Sequence, residues 1–315
     1  MESKINIFIA CHKPTYVIKN PLFVPVQVGT ALTEWRGEGM RYDNDGDNIS
    51  EKNPWYCELT AQYWAWKNCD CDYFGFFHYR RYLTFSEVYS ITADGRLQGK
   101  KKACPYIELD DIREDLTSYR LEPEWMKMQI EKYDLMTVMR EKINSTVYHQ
   151  YEQYHPVRDL DLILEILAQK YPEYEKASEK YMASKEIYYM NMFIMKKTLF
   201  YEYMEWLFDI LAEFEARKKQ EDQSGMEPRL IGFLAERLFG IFYTYQREKG
   251  NLCAELPYLK FYNTDIGEKK SGQQYIRTFR LKPTKHEIRI DMRKLNRWFP
   301  AGSRRRILLR SIFLK

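Results

Sequence analysis

Arg80 and Arg81 stand side by side in the run His78-Tyr79-Arg80-Arg81-Tyr82, directly after the aromatic segment Tyr73 to Phe77. Guanidinium forks match phosphate oxygens, so a double arginine at this point suits a diphosphate. Upstream lies an acidic loop carrying Asp43, Asp45, Asp47 and Asn48. Its aspartates have the first three spacings of an EF-hand. The sixth position, however, is Asn48 rather than Gly and the twelfth is Pro54 rather than Glu, which rejects calcium binding of that kind. Two roles stay open for these carboxylates: gripping a divalent ion together with substrate phosphates, or pairing with Arg80 and Arg81 in a structural network. Lys13, beside His12, either reaches a phosphate or base edge or is merely solvated. Asn191 is the lone amide in the apolar run Ile187 to Met195 and needs a partner from protein or substrate. Glu236 lies among apolar neighbours. That setting raises a carboxyl pKa and suits a general base; the competing reading pairs it with Arg237 or Arg229.

The elements that must position these groups follow from pattern. Asn53-Pro54 predicts a helix start, and Trp55, Leu59, Tyr63 and Trp66 continue at helical spacing to Asn68. Tyr73 to Phe77 predicts a strand buried on both faces, as in a sheet covered by helices. Ligands in open α/β sheets sit beyond the carboxyl ends of strands, where His78, Arg80 and Arg81 fall. Lys4 to Ala10 predicts the first strand, and Phe23 to Val28 a second, with Pro25 pointing to an edge or irregular place. Residues 92 to 104 predict a loop, either a lid or an ordinary exposed segment. Asp110 to Tyr119 and Pro123 to Lys132 read as helices, Asp134 to Met139 as a buried strand, and Leu160 to Leu167 and Glu173 to Met182 as helices. Ile187 to Met195 reads as another strand. A helix over Leu199 to Arg217, a charged loop over Lys218 to Glu227 and a helix over Arg229 to Glu248 complete a helix-rich C-terminal half. There is no complete dinucleotide fingerprint, phosphate loop or serine elbow.

Several of these segments together resemble a bacterial family. They are Asp-Gly-Asp-Asn-Ile-Ser (45 to 50), Tyr-Cys-Glu-Leu-Thr (56 to 60), Tyr-Trp-Ala-Trp-Lys-Asn (63 to 68) and His-Tyr-Arg-Arg-Tyr (78 to 82). His12-Lys13, Asn191 to Met195, Glu205 to Phe208, Gly232 to Leu234 and Glu236 to Leu238 follow in order, so the likeness spans roughly residues 5 to 260. The family is known as a domain of unknown function in capsular and exopolysaccharide biosynthesis glycosyltransferases, some linked to galactofuranose transfer. The resemblance implies a GT-A-like α/β fold, a mixed sheet flanked by helices that binds a nucleotide sugar, over 1–260, with 261–315 a basic extension. It implies hexosyl transfer from a nucleoside-diphosphate sugar, UDP-linked, to a lipid-linked or oligosaccharide acceptor. Asp45, His78 and Glu236 are then the catalytic candidates. His12, Lys13, Asp43, Asp47, Asn48, Tyr79, Arg80, Arg81, Asn191 and Arg229 are the substrate-binding ones. Either Asp43-x-Asp45 holds a manganese or magnesium ion or the arginines replace it. Tyr148, His149, Tyr151, Tyr154 and His155 form a polar aromatic cluster assigned to the acceptor side. A sugar-phosphate transferase, releasing a nucleoside monophosphate, and a non-catalytic polysaccharide-binding protein are the alternatives.

Across 315 residues, 45% hydrophobic content allows a substantial core, and 30% charged residues imply a soluble surface. No apolar window approaches 18 residues, which predicts no membrane-spanning helix. Six cysteines without zinc spacing predict reduced thiols in a cytoplasmic protein. The net charge of +4 is uneven: Arg289 to Lys315 alone carries +8 and the remainder −4. The segment Arg304 to Lys315 mixes cations with Leu, Ile and Phe, which predicts contact with an anionic membrane surface on its inner face. It lacks a recognition module for nucleic acid.

Overall fold

The computed structural model describes residues 3–92, 94–98, 104–221, 226–266, 276–280 and 287–291. The chain opens with strands β1 (Ile5–Cys11), β2 (Phe23–Gln27) and β3 (Arg41–Tyr42). Two short helices, α1 (Asn53–Tyr56) and α2 (Leu59–Asn68), lead into β4 (Tyr73–His78) and β5 (Arg81–Leu83). Then come β6 (Tyr89–Ile91), β7 (Leu97–Gln98), β8 (Tyr106–Asp111), α3 (Pro123–Ile130), β9 (Leu135–Val138) and β10 (Glu141–Lys142). Helices α4 (Val147–Glu152), α5 (Val157–Lys170) and α6 (Glu175–Met182) precede β11 (Glu186–Ile187) and β12 (Phe193–Lys196). The long helices α7 (Lys197–Glu221) and α8 (Leu230–Glu248) precede β13 (Cys253–Leu256), β14 (Tyr258–Asn263) and a hairpin of β15 (Ile276–Arg280) with β16 (Glu287–Asp291).

The main sheet runs β3-β2-β1-β4-β12-β9-β13-β6-β7. β1 to β4 are mutually parallel, and β12 lies antiparallel between β4 and β9. This is the mixed, helix-flanked α/β sheet of a GT-A-like fold. From β1 the chain moves outward to β2 and β3, then crosses back to β4 on the other side. The crevice outside the carboxyl ends of β1 and β4 is therefore a topological switch point, where ligands bind in open sheets. Burial explains why β4 sits in the middle. Phe74 and Phe76 stack on Phe200 of α7, with centroids 4.4 and 5.3 Å apart, while Phe77 meets Phe23 and Tyr82 on the opposite face. Gly75 lies between Ile7 and Ile194, where an added Cβ would meet Ile7 Cγ1 at 2.8 Å. Pro25 falls in β2 beyond the two residues that pair with β3, so its missing N–H leaves no ladder bond unmade.

Some elements depart from expectation. The helix predicted from Pro54 to Asn68 is broken at Cys57, whose φ of 51° ends α1. Asn53 does not cap from outside; it is the first helical residue, and its Nδ2 donates to the Cys57 carbonyl at 2.8 Å, holding the break. Asp110 to Tyr119 forms no α-helix; only Thr117–Tyr119 makes a 3-10 turn. β8 extends through Asp111 because it pairs with β14, a partner 150 residues away that local pattern does not reveal. Ile187 to Met195 is strand only at its ends, and Asn191 precedes β12 rather than lying within a strand. The described residues of 92 to 104 include β7, which pairs with β6 at the sheet edge. α7 runs on to Glu221 because Lys218 is buried against Asp159 at 2.6 Å. Lys100 to Lys102 lie outside the described residues, as does Arg304 to Lys315. β14 straddles residue 260.

Candidate active site

The switch-point crevice opens into a cleft of about 470 Å³ lined by Ala10, His12, Asn53, Cys57, Glu58, His78, Arg80, Arg81 and Arg229. An inner chamber of about 80 Å³ continues from it past Glu58, His78, Arg81 and Arg229 to Met190, Asn191 and Glu236. Four parts of the chain converge. β1 and β4 deliver His12 and His78 from paired ends, since Ala10 is in register with His78. β5 turns back so that Arg81 pairs with His78. The break between α1 and α2 presents Glu58, and the start of α8 presents Arg229 and Glu236. Four non-glycine residues have positive φ among those described; Cys57, Met190 and Arg229 are three of them, and all three line this cleft. Such conformations cost free energy and concentrate at functional sites.

Arg80, Arg81 and Arg229 make no ion pair with a carboxylate among the described residues. Arg80 lies 5.7 Å over the Tyr79 ring and Arg229 4.9 Å over Phe233. Burial and the two adjacent guanidiniums of Arg81 and Arg80 hold His78 well below the ordinary imidazole pKa, with His12 and Arg229 adding to the effect. Burial, then Lys13, Arg80 and Arg229, lowers His12 likewise. Both rings are therefore neutral near pH 7. The Arg80 amide donates to His78 Nδ1 at 3.4 Å, which places the ring proton on Nε2.

The carboxylates face this cationic wall. Glu58 Oε1 accepts from Asn191 Nδ2 at 2.8 Å. Glu236 Oε1 accepts from the Met190 amide at 2.9 Å and Oε2 from Arg237 Nη1 at 2.8 Å. Burial raises the Glu236 pKa, and the neighbouring Glu58 adds to the rise, against Arg237 and Arg81. Asn191 is 2% exposed and its Oδ1 has no partner among the described residues, so an acceptor atom is left at the floor of the inner chamber. Arrangements of this kind bind a polyanion on one side and hold a base on the other.

The structure thus unites His12, His78, Arg80, Arg81, Asn191, Arg229 and Glu236. Tyr79 is buried beneath the two imidazoles, 4.9 Å from His12 and 4.3 Å from His78. Lys13 stands beside Tyr79 and pairs with Asp265 at 3.5 Å. The acidic loop lies elsewhere. Asp43 is fully buried and accepts from the Gly29 and Thr30 amides and the Ser50 and Thr60 hydroxyls at 2.6 to 3.0 Å. It ties the end of β2 to the start of α2 and pairs with neither arginine. Asp45 is exposed, Asp47 meets Tyr63 and Asn68, and Asn48 bonds within its own loop; none lines the cleft. Among the described residues no three His, Cys, Asp or Glu side chains group as metal ligands. With Asp43 saturated, the donor set of the cleft, guanidiniums with carboxylates already engaged by Asn191, Met190 and Arg237, fits an anion better than a divalent ion. Glu58 escaped the sequence reading because only the Cys57 kink turns it inward. Its place in the Tyr-Cys-Glu-Leu-Thr segment was the available signal.

The family described as Domain of unknown function (DUF4422) matches residues 6–248. A solved structure titled WbbM bifunctional glycosyltransferase, apo, is similar to the chain with TM-score 0.72 at 32% sequence identity, over 85% of this chain and 47% of that one. The chain spans about half the length of that protein. Comparison with the curated proteins gave no match.

Proposed function

Since the chain belongs to the DUF4422 family, and since a 32% identical structural relative is titled a glycosyltransferase, we propose that it transfers a hexosyl group from a nucleoside-diphosphate sugar to a growing polysaccharide. The observation that carries this is the cleft in which Arg80, Arg81 and Arg229 face Glu58 and Glu236 without pairing to a carboxylate. The arginines receive the donor diphosphate. As the anomeric carbon–oxygen bond breaks, negative charge grows on the departing diphosphate, and fixed cations there lower the barrier. The acceptor hydroxyl attacks the same carbon and gives its proton to a carboxylate. Glu236 suits that task because burial makes it more basic than an ordinary glutamate. His78 Nε2 donates to a phosphate oxygen. The donor is UDP-linked, and galactofuranose or galactose is its sugar; this finer reading is supported by the segment resemblance. The guanidiniums take the place of a metal ion at the diphosphate.

Calorimetry of UDP against wild type and Arg81→Gln tests the site. Losing one charge-assisted contact of about 1.5–3 kcal/mol weakens binding roughly 10- to 100-fold. Equal affinity in both proteins sinks the proposal. Turnover of UDP-galactofuranose, UDP-galactose and UDP-glucose, with UDP rather than UMP as released product, identifies the reaction.

A further inference from the structure

Next to the cleft lies a second, more open depression of about 640 Å³, lined by Lys142, Ile143, Asn144, Ser145, Gln150, Gln153, Tyr154 and Tyr189. Its composition differs from that of the cleft. Lys142 is its one charged residue, and amides, a hydroxyl and two tyrosines make up most of the wall. The side chains of Asn144, Ser145, Gln153, Tyr154 and Tyr189 have no hydrogen-bond partner among the described residues. Tyr154 is 71% exposed. Carboxamides both donate and accept, as sugar hydroxyls do, and tyrosine rings offer flat apolar faces with a polar edge. The volume lies within the roughly 300–1,000 Å³ of ordinary ligand sites.

Two connections join this groove to the reacting groups. Gln150 Oε1 accepts from Arg237 Nη2 at 2.6 Å, and Arg237 Nη1 donates to Glu236 Oε2 at 2.8 Å. Tyr189 is followed by Met190, which lines the inner chamber and whose amide binds Glu236. Through these two links the groove adjoins the carboxylate assigned as base, with the buried Arg237 side chain between them. We propose that this groove binds the neutral oligosaccharide portion of the acceptor, several sugar units back from the hydroxyl that reacts. The assignment rests on the glycosyl-transfer reading above and deepens it: the cleft takes the anionic donor and the groove takes uncharged sugars. Of the aromatic cluster at 148 to 155, Tyr154 alone serves here. Tyr148 bonds Asp161, His149 meets Glu152, Tyr151 is buried in the core, and His155 lies 4.3 Å from Phe233.

Saturation-transfer NMR on the full chain provides the test, with neutral galactan and glucan tri- to hexasaccharides and with uronic-acid-containing counterparts as probes. Wild type should show transfer from at least one neutral saccharide. Tyr154→Ala and Gln153→Ala, both at exposed positions that leave the core intact, should each weaken that binding at least fivefold, with UDP affinity and melting temperature unchanged. Three results overturn the groove: no neutral saccharide binds, only the acidic ones bind, or both variants bind as wild type does. The UDP titration separates the two claims. Saccharide binding lost in the variants, in a protein that never binds UDP, refutes the glycosyl-transfer reading while the groove stands as a saccharide site.

Discussion

At the scale of single residues, the cleft is organised by charges that the fold leaves unanswered. Several arginines elsewhere find acids: Arg113 pairs with Asp111, Arg140 with Glu255 and Glu186, and Arg217 with Glu213 and Glu165. Arg80, Arg81 and Arg229 do not, and their repulsion reaches the histidines. Two predictions follow from pKa directions. His12 and His78 are depressed below 6.5 in the folded chain. The unfolded chain therefore binds more protons, so their contribution to stability is present above about pH 6.5 and is lost as the pH falls below it. A melting curve measured from pH 7.5 to 5 should decline over that window, and UDP should offset the decline by neutralising the arginines. A flat curve that His78→Gln leaves unaltered refutes this. Glu236 is raised above 4.5, so turnover should climb with pH through a value higher than that of a free glutamate. Glu236→Gln should lower kcat by roughly 10²–10⁴ while UDP affinity holds. Near-normal kcat in that variant would move the base role to Glu58.

At the scale of elements, small departures from regularity aim the side chains. The Cys57 break, the left-handed Arg229 before α8 and the left-handed Met190 before β12 each turn a short piece of backbone toward the crevice. Two buried devices hold them. Asp43 clamps two amides and two hydroxyls, and Gly232 lets α8 pass Cys57, where an added Cβ would lie 3.3 Å from its Sγ. Asp43→Ala should destabilise the chain by several kcal/mol, since each unsatisfied buried polar group costs about 1–3 kcal/mol. A chemical denaturation midpoint close to that of wild type would contradict the clamp. In α8, a Cβ on Gly240 would overlap the Tyr181 ring of α6. Gly240→Ala should cost about 1–3 kcal/mol by overpacking, read as a lower melting temperature.

At the scale of the whole molecule, the chain divides its surfaces by charge. The cleft is cationic, the adjoining groove is nearly neutral, and the last stretch of sequence is strongly basic. No helix among the described residues is long and apolar enough to cross a membrane. We propose that Arg304 to Lys315 brings the enzyme to an anionic lipid surface at the inner face of the cell membrane, where a lipid-linked acceptor would be presented. Each cation near such a surface contributes about 1 kcal/mol. Deleting 301–315 should abolish sedimentation with phosphatidylglycerol vesicles and spare turnover on a soluble acceptor. Undiminished sedimentation would remove the tail from the account.

What the sequence determined by itself was whatever depends on local pattern. The aromatic run of β4, interrupted only by Gly75, marks a strand buried on both faces, the 3.6-residue spacing marks α5 and α8, and the switch to His78-Tyr79-Arg80-Arg81 marks the ligand end of the strand. Asn191 and Glu236 were legible for a related reason: a polar group alone among apolar neighbours must have a purpose. Tertiary structure decided which charges meet. Asp43, Asp45 and Asp47 look like partners for the arginines because they are close in sequence, yet the loop after β3 keeps them out of the cleft, and Asp43 is spent on holding backbone amides and hydroxyls. Glu58 and Arg229 line one cleft although more than 170 residues separate them, because α1 packs on α8. No window of sequence contains that juxtaposition. Long-range packing sets the directions of side chains, and an electrostatic site is made of directions.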